Sequence, residues 1–291
     1  MDVGTHEVKV EIAGRTMYGE RVEGWGLLPD SLAGWWDSLE SRFDEDVIPG
    51  ADGAFDVDEV LTAPRRVTVT GVVTSTSADW SIAEVRAWLA SLVKIPDLQF
   101  RVLAGGAWLS LRNAKVRGQV FSRPDFTGKR VEFEIPVWSA DPRKYGRIRQ
   151  ISMDAVVEAT GGLAFPIVDG SIGFGGTGGV LFPGVFAITN PGTAEFYPEA
   201  FTVTGPVSGF TIQSESWVVE YDGPIAAGQQ LVITPYAGGR AVLGGGDVSN
   251  NLLRAEWVPV APGETRGFLF TPTDPGPGAG IVIDYPEGSW W

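Results

Sequence analysis

The sequence predicts a mainly β protein in two parts: an α+β first half, in which one main helix packs on a β-sandwich, and a second half that is a β-sandwich of its own. Three observations carry this. Stretches such as Arg66 to Val73 (RVTVTGVV) and Val131 to Val137 alternate apolar and polar residues, the period of a strand with one buried face. Gly 39 and Pro 20 punctuate the 291 residues, which favours many short strands joined by turns over a helical bundle. A long helical period after Ser81 carries its own start signal.

The elements follow in order. Glu7 to Ile12 puts Val8, Val10 and Ile12 on one face, Gly14 supplies a turn, and a strand around Met17 to Val22 completes a hairpin. After Pro29-Asp30-Ser31, the residues Leu32, Trp35, Trp36, Leu39 and Phe43 recur at helical offsets and predict a short helix with one apolar face. The acidic stretch DEDVIPGADGAFDVDE, broken by Pro49, Gly50 and Gly53, reads as an exposed loop.

Arg66 to Val73 is a strand rich in β-branched residues. Ser81 and Glu84 then have capping-box spacing, Ile82, Val85, Leu89, Leu92 and Val93 line one helix face with Trp88 beside them, and Pro96 ends the helix. Gln99 to Leu103 and Trp108 to Leu111 form a hairpin across Ala104-Gly105-Gly106. Ala114 to Val120 and Val131 to Val137 are further strands, and Asp141-Pro142 closes the half.

These limits divide the chain into a first domain over 1–150, a glycine-rich linker over 151–184 and a β-sandwich over 185–291. The linker, with GGLAFPIVDGSIGFGGTGGVLFPG from Gly161 to Gly184, holds too much glycine for a regular element and too many apolar residues for a solvated tether, so it should lie against a surface. Beyond it nine short strands are expected, and no helix. They are Gly184 to Asn190, Glu199 to Thr204, Gly209 to Ser214, Ser216 to Tyr221, Gln230 to Thr234, Arg240 to Leu243, Leu252 to Trp257, Thr265 to Thr271 and Gly280 to Tyr285.

Lys+Arg 22 against Asp+Glu 36 gives a formal net charge of -14, which repels phosphate and argues against a nucleic-acid groove. No apolar run approaches the ~20 residues that span a bilayer, so no membrane insertion is expected. The N-terminus MDVGTHEVKVEIAG lacks a secretory layout, which implies synthesis in a cytoplasm. With Cys 0 there is neither disulfide nor thiolate, and stability must come from packing or assembly.

With both halves laid out, the sequence resembles the distal tail proteins of long-tailed bacteriophages, especially minor tail proteins of phages infecting actinobacteria. In the first half the carriers are RRVTVTGVV, the amphipathic helix ending near Ile95-Pro96, and SADPRKYG at Ser139 to Gly146. In the second they are ITNPGTAEFYPEAFTVTGP from Ile188 to Pro206, AAGQQLVIT, GGRAVL and WVPVAPGETRGFLF from Trp257 to Phe270. Their order and spacing, more than any one motif, carry the likeness. The segment between Leu27 and Glu59 and the glycine-rich linker depart from the family pattern.

The resemblance implies a structural protein of the virion, with no active site. Its first domain would be tail-tube-like and assemble as a hexameric ring continuing the tail tube, and its second a galectin-like β-sandwich outside the ring. The implied partners are further copies of the chain, the tail tube protein and the tail tip or hub protein. Tape measure and receptor-binding proteins are further candidates, and DNA is present only as passing cargo. A ring needs a heterologous interface, for which strand edges of the first domain and the Trp-bearing segment from Leu27 to Glu59 are the candidate surfaces. Carboxylates lining the bore would keep DNA from sticking.

The residues themselves offer little chemistry, and no catalytic, cofactor-binding or metal-ligating residue is assigned. The single histidine, His6, sits near a chain end, where a general base is poorly held, and a Ser-His-Asp triad would have to use it. One His and no Cys argue against zinc. The carboxylates Asp44, Glu45, Asp46, Asp52, Asp56, Asp58 and Glu59 do not have the spacing of a calcium loop. GFGGTGG at Gly173 to Gly179 lacks the lysine and hydroxyl of a phosphate loop. No pair of acids stands out as a glycosidase pair.

Of the tryptophans, Trp80, Trp88, Trp108, Trp138 and Trp257 are expected in cores, whereas Trp25, Trp35, Trp36 and the pair Trp290-Trp291 are candidates for other contacts. The terminal pair should dock on its own sandwich or on a neighbouring chain. The competing class is an adhesion module whose second domain recognises host glycans, although no sugar-binding constellation is identifiable in the residues. An enzyme ranks third.

Overall fold

The computed structural model describes residues 8–19, 24–42, 52, 61–74, 81–155, 184–215, 217–235 and 239–291. The protein is mainly β with one α-helix among these residues, as the sequence predicts. It forms two compact units, Met1–Arg147 with Trp290–Trp291, and Ile148–Ser289.

In the first unit the sheet is built outward from two ten-residue strands, Arg65–Thr74 and Arg130–Ser139, paired without a break from Arg130↔Thr74 to Ser139↔Arg65. Their inward residues Val67, Val69, Val73, Val131, Phe133, Ile135 and Val137 form the core with Val10, Ile12 and Val102. On one side the sheet continues through Gly24–Ala33, Arg15–Gly19, Lys9–Ile12, Phe100–Ala104, Ala107–Leu111, Lys144–Tyr145 and Ser289–Trp290. On the other it ends at Phe121–Pro124.

The helix Ile82–Leu92 forms where the capping box places it. Ser81 Oγ accepts from Glu84 N (3.2 Å) and Glu84 Oε2 accepts from Ser81 N (2.9 Å). It buries Val85, Leu89 and Leu92 in the core, and Trp88 meets Trp25 edge-on at 4.8 Å, while Val93, expected on this face, is exposed beyond the last turn. Ser81→Ala should lower stability by about 1 kcal/mol, the usual value of such a cap. Urea unfolding would measure it, and an unchanged midpoint would contradict the cap's contribution.

Two expectations in this unit need correction. The helix expected from Leu32 to Phe43 does not form: Leu32 and Ala33 end the strand Gly24–Ala33, and a turn follows at Gly34, whose φ of +86° is outside helical space. Phe43 lies outside the described residues. The strand expected from Ala114 to Val120 is only Lys115–Val116, paired with Trp138 and Val137. Beside it, Pro136 has no N–H to give the ladder, and Gly118 passes its ring at φ +125°.

The second unit consists of a six-stranded and a five-stranded sheet. The first is ordered Ile148–Asp154, Gly280–Pro286, Ala200–Thr204, Gln230–Thr234, Arg240–Leu243 and Gly246–Asp247. The second is ordered Gly184–Thr189, Thr265–Thr273, Val207–Ser214, Trp217–Ile225 and Leu252–Ala255. Phe201 of the one reaches Trp217 (6.3 Å) and Phe268 (6.4 Å) of the other, so the sheets face each other across an aromatic core.

The expected second-half strands all appear with small shifts at their ends, and a short 3-10 turn at Ser249–Asn251 is added. Residues 148–154, expected to end the first domain and open the linker, pair with Gly280–Pro286 instead. Their sequence, IRQISMD, has no clear period and gave no sign of which half they join. Linker residues 156–183, including Gly173 to Gly179, lie outside the described residues, as do His6, Trp80 and the acidic stretch apart from Asp52.

Candidate interaction surfaces

The SADPRKYG motif of the first unit folds into a dense polar knot. Ser139 Oγ donates to the carbonyl of Arg112 or Asp141, each at 2.7 Å. Asp141 takes a salt bridge from Arg143 (2.9 Å) and a hydrogen bond from the Tyr145 hydroxyl (2.6 Å), and the Arg112 guanidinium lies over the Tyr145 ring at 3.5 Å.

Beneath this knot two cations are buried. Arg65, 2% exposed, donates from Nε to the Pro142 carbonyl (2.7 Å) and from Nη1 to those of Gly34 (2.8 Å) and Trp35 (3.3 Å). Lys144 Nζ donates to the Trp35 carbonyl at 3.2 Å and lies 5.4 Å from the centre of its ring. Together they fasten the Gly34–Asp37 turn to the start of the Arg65–Thr74 strand. Trp35 is completely buried between this pair and Phe100, while Trp36, next along, is 60% exposed.

Burial pushes the Lys144 ammonium down to about 8, with a smaller push from Arg65; burial likewise lowers the Arg65 guanidinium, partly offset by Asp37. In the unfolded chain Lys144 titrates near 10.5. Between those values the unfolded state binds more protons, so this group's contribution to stability should rise with pH from about 8 to about 10.5. Lys144→Met should flatten that rise in thermal scans. A wild-type profile that falls across the window by no less than the variant's would contradict the assignment.

The turn held in this way shapes a groove. Between Leu27, paired with Gly71, and Leu32, paired with Val69, the strand Gly24–Ala33 bulges outward through Leu28-Pro29-Asp30-Ser31, with Asp30 at φ +58°. The bulge, Val8 and the exposed Trp36 line a cavity of about 680 Å³, and Asp30 and Asp37 stand exposed at it.

A second exposed feature is the hairpin joining Phe121–Pro124 to Arg130–Ser139. Its tip is rigidly built: Asp125 Oδ1 accepts from Lys129 N (3.1 Å) and Arg130 N (3.2 Å), and Oδ2 from the Thr127 hydroxyl. That turn holds Phe126 entirely in solvent. Arg123 and Lys129 flank it, also exposed.

In the second unit the ITNPG motif is likewise a fastening. Buried Asn190 donates to the carbonyls of Ala194 (2.8 Å) and Val260 (2.9 Å) and accepts from Gly192 N (3.0 Å).

The tryptophans distribute differently from expectation. Trp25 and Trp35 are core residues, Trp88, Trp108, Trp138 and Trp257 are half-buried, and Trp217 is buried. Trp290 and Trp291 group with the first unit, which corrects docking on their own sandwich; Trp290 is half-buried and Trp291 exposed. No helix among the described residues is long and apolar enough to cross a membrane, and no group of three or more His, Cys, Asp or Glu among them is placed to hold a metal ion.

These features define a mainly β chain whose first unit carries an apolar groove and an exposed Phe126 at a hairpin tip, and whose second unit has two facing sheets. No family model and no curated protein matches it. Among solved structures it is similar to SPP1 Dit (gp 19.1), described as a paradigm of the hub adsorption apparatus in phages infecting Gram-positive bacteria. The TM-score is 0.59 at 11% identity, over 98% of this chain and 99% of that one. At that identity the likeness is one of fold. A chain of the phage P2 baseplate in its activated, Ca-containing conformation matches at TM-score 0.42 and 7% identity, over 93% and 99%.

Proposed function

We propose that the protein is a structural component of a phage tail, a distal tail protein whose first domain forms a ring, hexameric by the sequence resemblance, between the tail tube and the tail tip or baseplate. The observation that carries this reading is the fold likeness to SPP1 Dit over nearly the full length of both chains. The sequence motifs point the same way independently. The unit of residues 1–147 with 290–291 would make the ring, the unit of residues 148–289 would be the outer galectin-like sandwich, and DNA would pass through the bore.

An excess of carboxylates, at a net charge of -14, suits a bore that must not retain DNA. On this reading the chain performs no reaction. Its partners are its own copies, the tail tube protein and the tip or hub protein, with tape measure and receptor-binding proteins beyond them. Its place is the tail tip of a virion assembled in the host cytoplasm.

The mass of the purified protein in solution, together with electron micrographs of it, tests the ring. A multimer with a central hole is expected, and a single subunit at every concentration would overturn the reading.

A further inference from the structure

The groove and the hairpin tip of the first unit are unlike each other, and each has the chemistry the other lacks. The hairpin tip is a knob: one phenyl ring wholly in solvent, on a turn fixed by Asp125, flanked by the cations Arg123 and Lys129. The acids nearby are already engaged, Asp125 within the turn and Glu132 in a salt bridge to Arg130 at 2.7 Å. The bulged strand is a socket: Leu28, Pro29 and Trp36 form apolar walls, Asp30 and Asp37 supply negative charge, and among the described residues no Lys or Arg lines it. Phe126 makes no use of this groove in its own chain, since it is fully exposed.

We propose, resting on the ring reading above, that the occupant of the groove is a second copy of this chain: Phe126 of one subunit seats beside Trp36 and the Leu28-Pro29 bulge of the next, with Arg123 and Lys129 against Asp30 and Asp37. A knob meeting a different patch is a heterologous contact, which repeats from subunit to subunit and closes when the rotation allows. A planar aromatic entering an apolar pocket rimmed by opposite charge is the usual anatomy of an interface anchor. Because Arg65 and Lys144 hold the turn that carries Trp36, the socket is shaped before the neighbour arrives.

The absence of cysteine makes the test direct. In the full chain, Phe126→Cys combined with Pro29→Cys should, on mild oxidation, give a ladder of covalent multimers that collapses with reductant, while either single variant stops at a dimer. Phe126→Asp should shift the mass from multimer toward single subunit with an unchanged circular-dichroism spectrum, since the side chain packs on nothing in its own chain. Trp36→Ala should do the same from the socket side. A wild-type ring with no ladder from the double variant and no change of mass in Phe126→Asp would overturn this interface and leave the ring reading standing. A wild-type protein that stays a single subunit would overturn both.

Discussion

Gly34→Ala is expected to leave the first unit largely unfolded. The residue sits at φ +86°, and a Cβ there would lie 1.9 Å from the carbonyl oxygen of Arg66, in one of the two strands on which the sheet is built. Neither side can give way cheaply: moving Arg66 breaks its register with Trp138, and moving Gly34 withdraws the carbonyl that accepts from Arg65. Left-handed strain alone costs about 1–2 kcal/mol. With the displaced backbone the total should reach about 4 kcal/mol or more, the size seen when a fixed backbone position is violated. Limited proteolysis would read it as cleavage concentrated before residue 148, and a melting temperature within two or three degrees (~1 kcal/mol or less) of wild type would contradict it.

Arg65→Ala should be nearly as costly. Three carbonyls, those of Gly34, Trp35 and Pro142, lose a charged donor at once. A hydrogen bond to a charged group contributes about 1.5–3 kcal/mol, and water entering the vacated space recovers part of the loss, so about 3 kcal/mol overall is expected. There is a second readout that a general loss of packing would not give. Arg65 contributes to the lowering of Lys144, so its removal should move the lysine's titration back up, shifting the rise in stability to higher pH. Denaturant midpoints measured across that range would show both. Loss of stability with an unmoved pH profile would separate Arg65 from Lys144 and contradict the coupling.

Much of the scaffold was legible because its signals are local. Alternation located Arg65–Thr74, Arg130–Ser139 and the strands of the second unit, and Ser81 with Glu84 located the helix start, since each depends on neighbours a few residues away. The surfaces were less legible. The spacing of Leu32, Trp35 and Trp36 is as good a helix pattern as many real ones, but it arises from a strand end followed by a turn, and only Gly34 hinted at this. Trp35 is buried because Arg65 and Lys144, 30 and 109 residues away, close over its carbonyl. Nothing in a one-dimensional reading brings those three together. Phe126 could have been noticed as an apolar residue at a Pro-Asp-Phe-Thr-Gly turn, where the turn chemistry itself predicts exposure.

Trp290 and Trp291 belong to the first unit, with Trp290 in a strand beside Lys144–Tyr145. As the polypeptide leaves the ribosome, the sheet of the first unit therefore stays one strand short until Trp290 has emerged, and the whole of Ile148–Ser289 emerges before it. A stop codon after Arg147 would not yield the natural first unit. Recovering it in isolation would take a splice that joins Arg147 to Trp290, with the intervening segment removed like an inserted cassette.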